Sequence, residues 1–122
     1  MRPTVENIED VAVVTVNIEQ FDAGNADDFR RDMAPVLQDS RKVVLDLGRV
    51  RFVDSRGCGA ILSCLKQVAA VGGDLKLCQV SKPVRSVFEL IRLHRICEIL
   101  PTREDAVKAF QGKSSGTGGP SS

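Results

Sequence analysis

The chain has 122 residues, 43% hydrophobic and 27% charged, a balance that fits one folded domain and excludes a disordered polymer. Seventeen Lys and Arg against sixteen Asp and Glu leave a formal charge of +1, too small an excess for a protein that binds by neutralising many phosphates. Trp and Tyr are absent and aromatics total 4%, which leaves no base-stacking platform, and no apolar run approaches the roughly 20 residues that span a bilayer. The opening Met1-Arg2-Pro3-Thr4-Val5-Glu6 holds no apolar leader, so the expected compartment is the cytoplasm.

Residues 4–8 read as a short strand, and Glu9-Asp10 can turn it back antiparallel at an edge. Residues 11–18 and 43–47 are nearly continuous β-branched and apolar runs, the pattern of central parallel strands covered on both faces. Between them, Ala26, Phe29, Met33, Val36 and Leu37 form the apolar stripe of a helix, despite Pro35 near its end. A second stripe, Cys58, Ile61, Leu62, Leu65, Val68 and Ala69, steps by three and four. Gly72-Gly73-Asp74 then leads into a strand over 75–80. A third helix carries Val84, Val87, Phe88 and Ile91, with Pro83 in its first turn. A short strand over 96–100 stops at Pro101, and a last helix opens at Thr102 with Asp105 three residues on, close to a capping box. The order β-β-α-β-α-β-α-β-α predicts an α/β fold, a mostly parallel sheet with an antiparallel N-terminal edge strand and about four helices. The domain is expected over 1–110, followed by a flexible Gly/Ser-rich tail over 111–122.

Four cysteines (Cys58, Cys64, Cys78, Cys97) lie in apolar stretches without a C-x-x-C pair, which points to buried thiols rather than disulfides. His94 is the single histidine. No metal site is expected from that spacing, and no cofactor. A serine enzyme built on Ser55 is not expected either: Ser55 stands in no G-x-S-x-G elbow, and His94 would have to serve as base from a distant connection.

In sheets of this kind, chemistry gathers beyond the carboxyl ends of the strands. Two loops stand there: residues 20–25, with Asp22, and residues 48–59, with Asp54-Ser55-Arg56-Gly57. Ser55 stands where the second apolar stripe begins and is expected to be its N-cap, accepting from the N–H of Gly57 or Cys58. Gly57 and Gly59 each cost roughly 1 kcal/mol of helix propensity, which suggests that something approaches that backbone closely. On spacing alone, a plain capped helix start is favoured over a functional site. Gly57, Ala60, Cys64 and Gln67 form a second, small-residue stripe, expected at the surface as a flat docking face, or simply as exposed positions.

The stretch over 43–60, Val-Val-Leu-Asp-Leu-Gly-Arg-Val-Arg-Phe-Val-Asp-Ser-Arg-Gly-Cys-Gly-Ala, resembles the signature of STAS domains, and most of all the free-standing bacterial anti-sigma-factor antagonists. Phe21-Asp22-Ala23, Leu75-Lys76-Leu77, residues 84–90, Leu93-His94-Arg95-Ile96 and residues 102–106 complete the pattern. The resemblance implies a non-enzymatic binding module. It implies that Ser55 is phosphorylated by an anti-sigma factor that is also a serine-protein kinase, and restored by a PP2C-like serine phosphatase. The unmodified form binds the anti-sigma factor and frees the sigma factor. Asp22 and Asp54 match acidic positions flanking the serine. Arg56 departs from the small residue usual after it, and Cys58 from a larger aliphatic. Other members of the fold family act as scaffold or assembly subunits, in stressosome-like or lipid-transport complexes, without a phospho-switch. Direct nucleic-acid binding and membrane insertion are not expected.

Overall fold

The computed structural model describes residues 2–111, so all of the expected tail except Gln111 lies outside the described residues. Strands β1 (Thr4–Ile8) and β2 (Val11–Thr15) form the expected antiparallel hairpin, with Glu9 taking the left-handed conformation of the tight turn, φ 57°. β4 (Lys42–Asp46), β6 (Asp74–Cys78) and β7 (Ile99–Leu100) extend it in parallel, giving the order β1-β2-β4-β6-β7. A second, two-stranded parallel sheet joins β3 (Gln20–Phe21) to β5 (Phe52–Val53). The helices are α1 (Ala26–Asp39), α2 (Ser55–Ala70), α3 (Lys82–Leu90) and α4 (Arg103–Gln111).

The period-2 alternation of the strands divides the core in two. Val14, Val16, Val43, Leu45, Leu75 and Leu77 point to one face and pack with Phe29 and Met33 of α1, Ile61 and Val68 of α2 and Phe88 of α3. Val11, Val13, Val44 and Cys78 point to the other, where Ala106 and Val107 of α4 cover them. Thr102 Oγ1 accepts from the Asp105 N–H at 3.0 Å, the expected start of α4.

Several boundaries differ from the sequence reading, among them the strand expected over 75–80, which ends at Cys78. The strand expected over 11–18 ends at Thr15, because the chain leaves the main sheet to build β3. Asn17 fixes the departure by donating from Nδ2 to Arg2 O and Thr4 Oγ1, at 3.0 and 2.9 Å. The strand expected over 96–100 keeps only its last two residues. Arg92 takes a left-handed conformation, φ 61°, and a 3-10 turn, Leu93–Arg95, uses the preceding backbone. Gln111, expected in the tail, is the last residue of α4.

The most buried ionic contact ties this architecture to the site end of the sheet. Asp46, 5% exposed at the end of β4, accepts from Arg103 Nη1 at 2.9 Å and from the Gly48 N–H at 2.9 Å. Arg103 also donates to Thr15 Oγ1 and Glu6 Oε1, both at 3.0 Å, so one guanidinium joins α4 to three strands. Arg103→Ala strands a buried carboxylate and is expected to cost roughly 2–4 kcal/mol. The check is a urea titration, in which the midpoint falls while the slope is kept.

Candidate functional site

The site is assembled where the two short strands meet the start of α2. The register that pairs Phe21 with Val53 makes Asp22 and Asp54 the next residues out, one on each loop. The Asp54 N–H donates to Phe21 O at 3.1 Å and continues that ladder by one bond. Asp22 organises its own loop: its Oδ1 accepts from the Gly24 N–H at 2.9 Å, and its carbonyl accepts from the N–H groups of Asn25 and Ala26. Asn25 closes the ring. Its Oδ1 accepts from the Asp22 N–H and its Nδ2 donates to Gln20 O, at 3.0 and 2.8 Å.

The helix cap is not the one expected. Asp54, in extended conformation, is the N-cap of α2, and its Oδ1 accepts from the N–H groups of Arg56 and Gly57 at 2.9 and 3.0 Å. A carboxylate accepts more strongly than a hydroxyl and also favours the positive end of the helix dipole. Ser55 is therefore displaced into the first helical position. It is exposed, and its hydroxyl makes no hydrogen bond within the described residues.

Gly57 explains why the backbone there must be bare. A Cβ on it would fall on the Phe21 carbonyl oxygen and 2.7 Å from Val53 Cγ2. The close approach inferred from sequence is thus made by the protein's own β3, not by a ligand. Gly59 has no such requirement, since the nearest atom to an added Cβ is Arg30 Nη2 at 3.7 Å.

The docking face expected on α2 is absent from the surface. Gly57 is buried, as are Ala60 and Cys64, and they turn inward together with Ile61 and Val68. Leu62 and Leu65, expected in the core stripe, are half-buried on its flank, and Ala69 is exposed. The inward face of α2 is narrow because the helix lies against both α1 and the sheet, and small side chains permit that approach. The hydrophobic stripe in the sequence is thus rotated toward the small residues.

Other reactive groups stand apart from the rim. All four cysteines are buried free thiols. Burial pushes the thiols of Cys64, Cys78 and Cys97 up to about 12, leaving no thiolate at neutral pH. His94 lies in the 3-10 turn beyond the far end of α3, remote in topology from the start of α2. No cluster of three or more His, Cys, Asp or Glu among the described residues is placed to hold a metal ion. No helix among them is long and apolar enough to cross a membrane. What the sequence reading missed is the outward row before Asp54. Val50 and Val53 are buried while Arg49, Arg51 and Phe52 are exposed.

The sequence profile of the STAS domain matches residues 2–106. The chain belongs to the STAS domain family. This STAS domain is 32% identical over 112 residues to BtrV of Bordetella bronchiseptica, covering 91% of the chain and 96% of that protein. It is 29% identical over 109 residues to a protein of Paenibacillus polymyxa named anti-sigma F factor antagonist, covering 88% and 92%. Its fold matches the crystal structure of TM1081 from Thermotoga maritima with a TM-score of 0.83 at 26% identity, covering 89% and 94%.

The two caps and the two glycines separate in stability measurements. Asp54→Ala is expected to lower stability by about 1 kcal/mol, whereas Ser55→Ala stays within about 0.5 kcal/mol of the wild type. Gly57→Ala forces a backbone clash and is expected to cost about 1–3 kcal/mol, while Gly59→Ala gains up to about 1 kcal/mol of helix propensity. Thermal unfolding of the four variants checks both pairs.

Proposed function

We propose that this STAS domain is an anti-sigma-factor antagonist controlled at Ser55. In its unmodified form it binds an anti-sigma factor that is also a serine-protein kinase, and so releases the sigma factor. The kinase transfers the terminal phosphoryl group of ATP to Ser55 Oγ, so that the β,γ bond breaks, ADP leaves and the hydroxyl proton is released, and the modified antagonist dissociates. A PP2C-like serine phosphatase restores the hydroxyl by hydrolysing the phosphate ester with water, which releases inorganic phosphate. The observation that carries this reading is the free, exposed Ser55 hydroxyl at the first position of α2, relieved of capping by Asp54.

Asp22 and Asp54 support the site by shaping the two loops that hold the serine out. Arg56 stands beside it. A phosphoserine brings about −1.5 to −2 charges at neutral pH. At a helix start that charge gains roughly 0.3–1 kcal/mol, so modification is expected to leave the fold intact. Its effect falls on the contact with the partner, where a penalty of about 3 kcal/mol weakens binding more than 100-fold. A free hydroxyl held at the rim favours this switch over a constitutive assembly role.

The test combines the purified protein with candidate anti-sigma kinases and ATP, then locates added phosphate by mass spectrometry. A single phosphate on Ser55 is expected with the cognate kinase. Ser55→Ala is expected to bind that kinase without being modified. Ser55→Asp is expected to bind at least about tenfold more weakly with an unchanged melting temperature. Binding of Ser55→Asp at wild-type strength would overturn the reading.

A further inference from the structure

The rim around Ser55 carries acidic and basic residues, but hydrogen bonding divides them into two classes. The two carboxylates that flank Ser55 are tied to backbone: Asp54 Oδ1 caps α2, and Asp22 Oδ1 accepts from Gly24. The guanidiniums of Arg49, Arg51 and Arg56 are exposed and form no ion pair among the described residues. Between them stands Phe52, 52% exposed. Strand alternation throws this ring outward, since Val53 beside it is buried. The backbone carrying the row is fixed, because Glu19 O accepts from the N–H groups of Arg51 and Phe52 at 2.8 and 3.2 Å. Arg49 and Arg51 also line a cleft of about 360 Å³, together with Asn17, Ile18, Glu19 and Gly48. Glu19 is the one exposed carboxylate in that cleft, and it pairs with neither arginine among the described residues.

An exposed aromatic ring and three unpaired arginines on one short segment, whose backbone Glu19 O holds at Arg51 and Phe52, have the composition of an interface hot spot. We propose that Arg49, Arg51, Arg56 and Phe52 are the specificity-determining residues of the rim, fitting a partner face that presents carboxylates around an apolar pocket. This rests on the antagonist reading and names the chemistry of its partner. It also changes how phosphorylation acts. A phosphate on Ser55, next to Arg56, neutralises the positive charge that the acidic partner reads and sets its own charge against the partner's carboxylates. The surface of a nucleic acid fits poorly, because the chain as a whole carries a formal charge of only +1.

The experiment titrates the anti-sigma kinase that modifies Ser55, in the absence of ATP, with five unphosphorylated proteins, at about 50 and about 300 mM salt. They are the wild type, Arg51→Glu, the double variant Arg49→Glu/Arg51→Glu, Phe52→Ala and Lys108→Glu, a control on α4 that matches the charge change of Arg51→Glu. Circular dichroism confirms the fold of each, which exposed positions are expected to preserve. Wild-type affinity is expected to fall about tenfold across that salt range. The double variant is expected to lose about 100-fold at low salt and most of its salt dependence, with Arg51→Glu in between. Phe52→Ala is expected to lose about tenfold with the salt dependence kept, and Lys108→Glu to match the wild type. If the double variant binds no worse than Lys108→Glu while phosphorylation of Ser55 still blocks binding, the specificity assignment is wrong and the antagonist reading stands. If the wild type binds no anti-sigma factor, both fail.

Discussion

The closeness of two backbones sets the geometry of this molecule at its functional end. The first turn of α2 lies so near β3 that residue 57 has no room for a side chain, and the Phe21 carbonyl beneath it receives the Asp54 N–H. This approach aligns the loop after β3 with the loop after β5. It fixes Asp54 where its carboxylate reaches the free N–H groups of the helix, and so hands the capping role to Asp54 rather than to the serine. Every property argued for Ser55, its exposure, its unshared hydroxyl and its place at the positive end of a helix, follows from that contact.

The rest of the fold supports that end from below. The five-stranded sheet is covered by three helices on one face and by α4 alone on the other. Such a short covering helix buries modest area, and its first residue, Arg103, reaches through to the buried Asp46 at the site end of β4. Asp46 also holds the Gly48 N–H, the first turn of the segment that leads to Arg49, Arg51 and Phe52. A buried ion pair of this kind adds little net stability over a well-packed apolar substitute, but it fixes geometry, because neither charge tolerates being left alone.

The charges of the rim then acquire opposite uses. The Asp22 and Asp54 carboxylates each commit one oxygen to backbone N–H groups, which fixes the loops on either side of Ser55. Guanidiniums left without partners face solvent and any protein that docks there. On the proposed reading, a phosphate on Ser55 alters the local field by about two charges without touching the core, so that a single modification changes partners and leaves the domain folded.

The strands of the main sheet, the four helices and the loops that carry Asp22 and Ser55 were legible in the sequence, because hydrophobic periodicity reports which positions are covered. The motif over 43–60 carries the STAS resemblance that the match to residues 2–106 bears out. Three things were decided only by tertiary structure. Whether Asp54 or Ser55 caps α2 depends on one residue of register, and the bond to Phe21 O sets it. The face of α2 that turns inward depends on how close α1 and the sheet come, so Gly57, Ala60 and Cys64 are core rather than surface. The pairing of β3 with β5 joins segments 32 positions apart; each is only two residues long, too short to show a period, and only their meeting creates the rim. Sequence shows which residues prefer burial, but not how two distant pieces of backbone will touch.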